Sequence, residues 1–384
     1  MTQVKLIKIN SNLKNNQTIV TLAFKYGYLK ETNKKYGYCH LAEHYICSLL
    51  EEKFGLKEVY GSVDNDYILI NIELNKKDAD NFIADKLGTL VEELIKSEIH
   101  TKVLKNEKGR LISEINNTYL NIDNEIFEEI SNKIIKKPEK ISRRKIDQIS
   151  NVKKLDKSEL KKTIKKILHS PTIIFIDNKE NDKLHKIKKS DIFIEDTEVN
   201  FVKAKKIKIE IKNSYYKNNY NQFLFFKGLD HKSTTRDKFS LRFILQESSA
   251  QLKKVLIKEG VYETYYDNYI LNNYGFFWFL VSFNKKNNLN LKNDLFIVIE
   301  SIINNEKLET KLNKFKKEQI KNIKDSWKIE EHRNPWIIED LLETGKVSDS
   351  ETLEKEILKI SKKELNRVKK ELLKEDDVYI LENK

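Results

Sequence analysis

Apolar and polar residues alternate along "VKLIKI" (4–9) and "QTIVTLAFKYGYL" (17–29). This period-two pattern with β-branched residues predicts two strands, and Gly27 marks a strand end or a turn. From His40 to Phe54 the period changes. Leu41, Ile46, Leu49, Leu50 and Phe54 recur at helical spacings, and Gly55 stops the run as a C-terminal cap. "YILINIEL" (67–74) predicts another strand, and "DADNFIADKLGTLVEELI" (78–95) an amphipathic helix with Phe82, Leu87, Leu90 and Leu94 inward. "NEKGRLISEINNTY" (106–119) predicts a further helix despite Gly109. After a Lys-rich stretch around Pro138, "DKSELKKTIKKIL" (156–168) opens like a capping box, and Pro171 introduces the strand "TIIFID".

Residues 178–200 are charged and lack a strong period, so they are the candidate linker. Beyond them the order repeats. "KIKIEI" and "NQFLFFKGL" predict strands, 240–258 a helix, "GFFWFLVSF" a strand, 290–304 and 307–325 helices, and 351–374 a helical stretch before the strand "DVYIL". The closing units "LDKSELKKTIKKILHSPTIIFID" and "ISKKELNRVKKELLKEDDVYILE" are the strongest internal similarity. The expected architecture is α+β, with two related domains at 1–190 and 200–384.

Composition narrows the setting. At 384 residues the chain suits two domains. It has neither an N-terminal apolar core of the signal-peptide kind nor a run near the ~20 apolar residues of a membrane span, so a cytoplasmic protein without a membrane partner is expected. Cys39 and Cys47 are the two cysteines, too few for a disulfide framework, and read as small reduced core residues. The formal charge of +13 raises nucleic-acid binding. Of 72 Lys and Arg, however, seven are Arg (Arg110, Arg143, Arg144, Arg236, Arg242, Arg333 and Arg367), the residue that reads bases and phosphates in bidentate fashion. Scattered lysine is read instead as a solvated face, with no nucleic-acid partner.

The chemistry concentrates in "YGYCHLAEHYICSLL" (36–50), which holds two of the seven histidines. On a helix, His40 and His44 stand one above the other, so two neutral imidazoles can converge on one zinc ion at ~2.0–2.1 Å. Glu43, one step round, can take a proton from a water activated by that ion. The same spacing also fits a helix carrying His and Glu pairs at its surface. A catalytic site needs a third ligand and one position open to water, and a downstream carboxylate is the economical source. Glu107 and Glu114, seven apart on the next helical pattern, share a face and are candidates; Glu128 and Glu129 compete from an acidic run.

These residues resemble the insulinase, pitrilysin and mitochondrial processing peptidase family of zinc peptidases, with its inverted H-x-x-E-H motif and a third ligand some seventy to eighty residues later. The strand, turn and Gly37 to His40 passage is similar to that family's approach to its motif helix, and "NEKGRLISEI" to its ligand helix. The resemblance implies that His40, His44 and Glu114 bind zinc, Glu43 activates water and Glu107 supports the site as a second acid. It also implies that each half is a helix-covered mixed sheet, and that the chain is half of a clamshell enclosing peptides. The other half would be an identical or a related subunit. The family's substrate-gripping Arg and Tyr fall here at Ile257 and Glu263. A shift of register brings in Lys258, Tyr262 or Tyr265 as substrate-binding candidates, with a core or surface role the alternative for the tyrosines. The activity implied is a zinc endopeptidase for small peptides, of the kind short bacterial members use on ribosomally made products. The alternative is a noncatalytic peptide-binding or scaffold subunit.

Overall fold

The computed structural model describes residues 4–9, 17–64, 66–75, 78, 81–82, 87–118, 133, 145–177, 206–209, 220–229, 234–257, 261–271, 274–284, 291–327, 338, 342, 350–374 and 379–383. The alternating segments at the start are strands β1 (Val4–Ile9) and β2 (Gln17–Phe24). A 3-10 turn at Tyr28–Lys30 leads to helix α1 (Tyr38–Phe54), which Gly55 ends in the left-handed conformation the sequence suggested. Strands β3 (Glu58–Val63) and β4 (Ile68–Asn75) follow, then helices α2 (Leu87–Lys96), α3 (Thr101–Thr118), α4 (Lys145–Lys154) and α5 (Lys157–Leu168), and strand β5 (Thr172–Asp177).

The five strands form one sheet in the order β1-β5-β2-β4-β3. β1 runs parallel to β5 and every other pairing is antiparallel. Central β2 is buried from Thr18 to Phe24, whereas β4 alternates buried and half-buried positions. α1 lies in the middle of this unit's core. Eleven of its 17 residues are buried, so it is enclosed on nearly all sides instead of presenting one apolar stripe.

The second unit repeats the scheme with β6 (Lys206–Ile209), β7 (Tyr220–Leu229), α6 (Thr235–Leu256), β8 (Val261–Leu271), β9 (Tyr274–Asn284), α7 (Leu291–Ile303), α8 (Leu308–Trp327), α9 (Ser350–Leu358), α10 (Lys362–Leu372) and β10 (Tyr379–Asn383). Its sheet order is β6-β10-β7-β9-β8, the order of the first sheet strand for strand. Again the one parallel pair joins the first and last strands. The fold class is therefore α+β, with a mixed, mostly antiparallel sheet and helices in each unit. The chain divides into two compact units, Met1–Ser131 with Lys137–Phe193, and Asn132–Lys136 with Ile194–Lys384.

Several local expectations change. β3 carries no strong apolar alternation and had no place in the pattern; it is an edge strand whose exposed and half-buried residues alternate. The stretch 351–374 is two helices, split where Ser361 caps α10. The helix expected from 240 begins at Thr235, because Thr234 and Asp237 form a capping box. Asp156 does accept the Glu159 backbone N–H as the N-cap of α5. The candidate linker and the stretch around Pro138 lie outside the described residues. Among those described, no helix is long and apolar enough to cross a membrane.

Candidate metal centre

The motif helix starts in an unusual way. Gly37, at φ 92°, precedes it in the left-handed region, and a Cβ there would also meet Val152 Cγ2 at 2.9 Å. No neighbouring side chain caps the helix. Instead the buried Glu31 carboxylate accepts the backbone N–H of Gly37 at 3.2 Å and of Cys39 at 2.6 Å, satisfying amides that helix geometry leaves orphaned. This fixes His40 in the first turn, with His44 one turn on. Their rings lie 4.9 Å apart, edge to face.

α3 supplies the opposing carboxylates. Glu114 Oε1 is 3.2 Å from His40 Nε2, and Glu114 Oε2 is 3.2 Å from His44 Nε2. One oxygen of Glu114 and one nitrogen of each histidine all fall within 4.8 Å of one another, a group that can share an ion. Two turns earlier on α3, Glu107 is buried with Oε2 at 3.3 Å from His44 Nδ1. Ser48 donates to Glu107 Oε1 at 2.9 Å, and Arg110 Nη1 donates to both Glu107 oxygens at 3.1 and 3.0 Å. Tyr45 ties the two helices together: its hydroxyl accepts from His100 N at 2.7 Å, just ahead of α3, and donates to Glu98 O at 3.3 Å.

Burial sets the protonation of the centre. It pushes the Glu43 carboxyl up from 4.5 to about 7, against the opposing pull of His40. Burial and the neighbouring His40 lower the pKa of His44, favouring the neutral imidazole that a metal requires. Contact with His40 lowers that of Glu114, keeping an anion on the open side. Burial and the adjacent Glu43 push the Cys47 thiol up, so it stays protonated.

The donor set fits zinc: two imidazoles and a carboxylate, with the Nε2 atoms convergent. His44 Nδ1 is buried and its approach to Glu107 is not aligned as a hydrogen bond. A carboxylate on that side still favours the proton on Nδ1 and leaves the Nε2 lone pair for an ion.

Neither a protein-family model nor a curated protein matches the sequence. Solved structures do match. The chain is similar to a protease from Helicobacter pylori, with TM-score 0.73 and 14% identity over 99% of this chain and 96% of that one. It is similar also to a chain in the structure of Complex III2 from Candida albicans (TM-score 0.71, 10% identity, 98% and 93% covered). A third is the periplasmic protease PqqL from Escherichia coli (TM-score 0.67, 12% identity), where it covers 98% of this chain and 46% of that one. This chain has the fold of these proteins. At such identities the likeness is one of fold, and against PqqL the chain spans about half the length.

Of the residues singled out from sequence, His40, Glu43, His44, Glu107 and Glu114 come together in the first unit. Glu128, Glu129 and Lys258 lie outside the described residues. Tyr262 and Tyr265 belong to strand β8, where Tyr265 pairs with Leu280 and Tyr262 falls within an irregularity between Val261 and Glu263. Glu31, Tyr45, Ser48 and Gly61 were not singled out, and Cys47 and Arg110 were named only as a core residue and as one of the seven arginines. Cys47 and Ser48 stand four positions after Glu43 and His44, and Arg110 three after Glu107, helical spacings that mark them as neighbours. Gly61 had no such signal, because its strand was not expected.

Proposed function

We propose that the chain is a zinc-dependent endopeptidase acting on small peptides, with zinc held by His40, His44 and Glu114. The observation that carries this reading is the bridging of both imidazoles by Glu114 while Glu43 Oε2 lies 3.7 and 3.8 Å from the same two nitrogens. A zinc ion held by these residues would supply Lewis-acid polarisation of the scissile carbonyl and acidify the attacking water. Glu43 Oε2 accepts a proton from that water and passes it to the leaving amine. A carboxylate at that distance is suited to both transfers. Glu107, fixed by Ser48 and Arg110, orients His44. Strand β3 pairs on one side among the described residues, and Gly61 brings its backbone against Glu43. An extended peptide adding to that edge would run beside the base.

On this reading residues 1–190 carry the chemistry. Residues 200–384, including Lys258, Tyr262 and Tyr265, contribute to substrate grip and to pairing with a second subunit, identical or related. A ribosomally made peptide is the substrate class we favour. The cytoplasm is the compartment, in keeping with the free thiols of Cys39 and Cys47.

A noncatalytic scaffold is the second reading. It is favoured by Ile257, an exposed apolar residue where the family resemblance calls for Arg, and by Glu263 where it calls for Tyr. One experiment separates the two. The purified chain is incubated with a mixture of synthetic peptides, new termini are read by mass spectrometry with and without chelator, and zinc is measured on the same sample. About one zinc per chain and chelator-sensitive cleavage support the peptidase; zinc-free protein that cuts nothing supports the scaffold.

A further inference from the structure

The two oxygens of the Glu43 carboxylate meet different surroundings. Oε2 faces the imidazoles at 3.7 and 3.8 Å. Oε1 is turned to a wall. Cys47 Sγ donates to it at 3.5 Å from one helical turn along α1. From the other side β3 presses in at Gly61, where even a Cβ would lie 2.2 Å from Oε1. A carboxylate without such a wall has two equivalent oxygens and a freely turning terminal torsion, and loses orientation at the moment of proton transfer.

We infer that Cys47 is a positioning residue for the Glu43 base: its thiol occupies Oε1, and Gly61 leaves the room in which Oε1 sits, so that Oε2 faces the reacting water. The assignment rests on the peptidase reading for its catalytic meaning. The thiol is suited to the task because it is buried and is held protonated by its surroundings. Its hydrogen remains available to Glu43, and it is a poor nucleophile and a poor metal ligand.

The test compares Cys47→Ala and Cys47→Ser with the zinc-loaded wild type on a peptide that the wild type cleaves. Cys47→Ala is expected to lower kcat about tenfold while KM and zinc content stay unchanged, as for loss of an outer hydrogen bond that orients an active group. Cys47→Ser, which retains a donor, is expected to recover kcat to within about twofold. Wild-type kcat in the alanine variant, equal losses in both variants, or a loss confined to KM would overturn the assignment. A second readout needs no turnover: the infrared S–H stretch of Cys47, identified by its loss in Cys47→Ala. Truncating the acceptor in Glu43→Ala is expected to shift that band to higher frequency and leave that of Cys39 in place. An unmoved Cys47 band rejects the contact. If the wild type cleaves nothing, the peptidase reading falls, and the infrared result alone decides whether the thiol holds Glu43.

Discussion

α1 and α6 occupy the same slot in two sheets of identical strand order, each between the second and third strands of its unit. α1 carries two imidazoles and a buried carboxylate. α6, at the corresponding place, buries Phe239, Leu241, Phe243, Ile244 and Leu245, and its polar buried residues include Ser240 and Ser248, whose hydroxyls have no hydrogen-bond partner among the described residues. The scaffold therefore does not dictate the chemistry. One copy of the helix buries ionisable groups that destabilise a core unless they are partnered, and a neighbouring helix, α3, provides Glu107 and Glu114 as partners to its two imidazoles.

The sharpest way to break this contrast is to remove the pairing carboxylate. Glu114→Gln is expected to take zinc from about one ion per chain to nearly none, and to abolish cleavage with it. Ser240→Ala in α6 should leave both unchanged; inductively coupled plasma analysis and a peptide assay on the same preparations check the pair. Glu43→Gln should separate the two properties. Zinc content is expected to remain, while cleavage falls by about a thousandfold, within the range for loss of a general base.

The same substitution should also expose what the buried charge costs. Glu43 has a folded-state pKa of about 7, above the 4.5 of an unfolded carboxyl. In the metal-free protein its penalty is thus fully present above pH 7, diminishes between 7 and 4.5, and is gone below. At 1.36 kcal/mol per pKa unit the penalty is about 3 kcal/mol. Metal-free Glu43→Gln is accordingly expected to be more stable than wild type by up to about 3 kcal/mol at pH 8, with the advantage vanishing at pH 4. Urea unfolding in chelator at several pH values reads this directly, and an advantage that grows on acidification would reverse the sign argued here.

Strand alternation and helical period were enough to expose β2, α1 and the repeat of closing units, because their apolar positions recur at strand or helix spacing. The H-x-x-E-H spacing and the seven-residue step from Glu107 to Glu114 were legible for the same reason: helical geometry turns sequence distance into shared facing. What stayed hidden depends on contacts between elements. β3 is an edge strand with half-buried side chains, so no period announces it, and with it Gly61 was invisible. The hydroxyl of Tyr45 is spent on the backbone ahead of α3, and the carboxylate of Glu31 on amides six and eight residues away; neither partner can be read from the residue itself.

The two helix starts differ as their cores do, and this gives the smallest but most local test. α6 is capped by its own Thr234 and Asp237, a box visible in four consecutive residues. α1 begins at a left-handed glycine and borrows Glu31 from across a loop, which leaves its first turn free to carry His40. Thr234→Ala should therefore cost about 1 kcal/mol, a typical N-cap loss. Glu31→Ala leaves the Gly37 and Cys39 amides without their buried charged acceptor and should cost more, about 2 kcal/mol. Hydrogen exchange resolved by mass spectrometry separates the effects, since each variant should speed exchange in its own helix and spare the other. Glu31→Ala should in addition weaken zinc retention, because His40 sits in the turn that frays. Equal costs for the two substitutions, or unchanged exchange in α1, would mean that the distant carboxylate is not the cap and that the first turn holds His40 by packing alone.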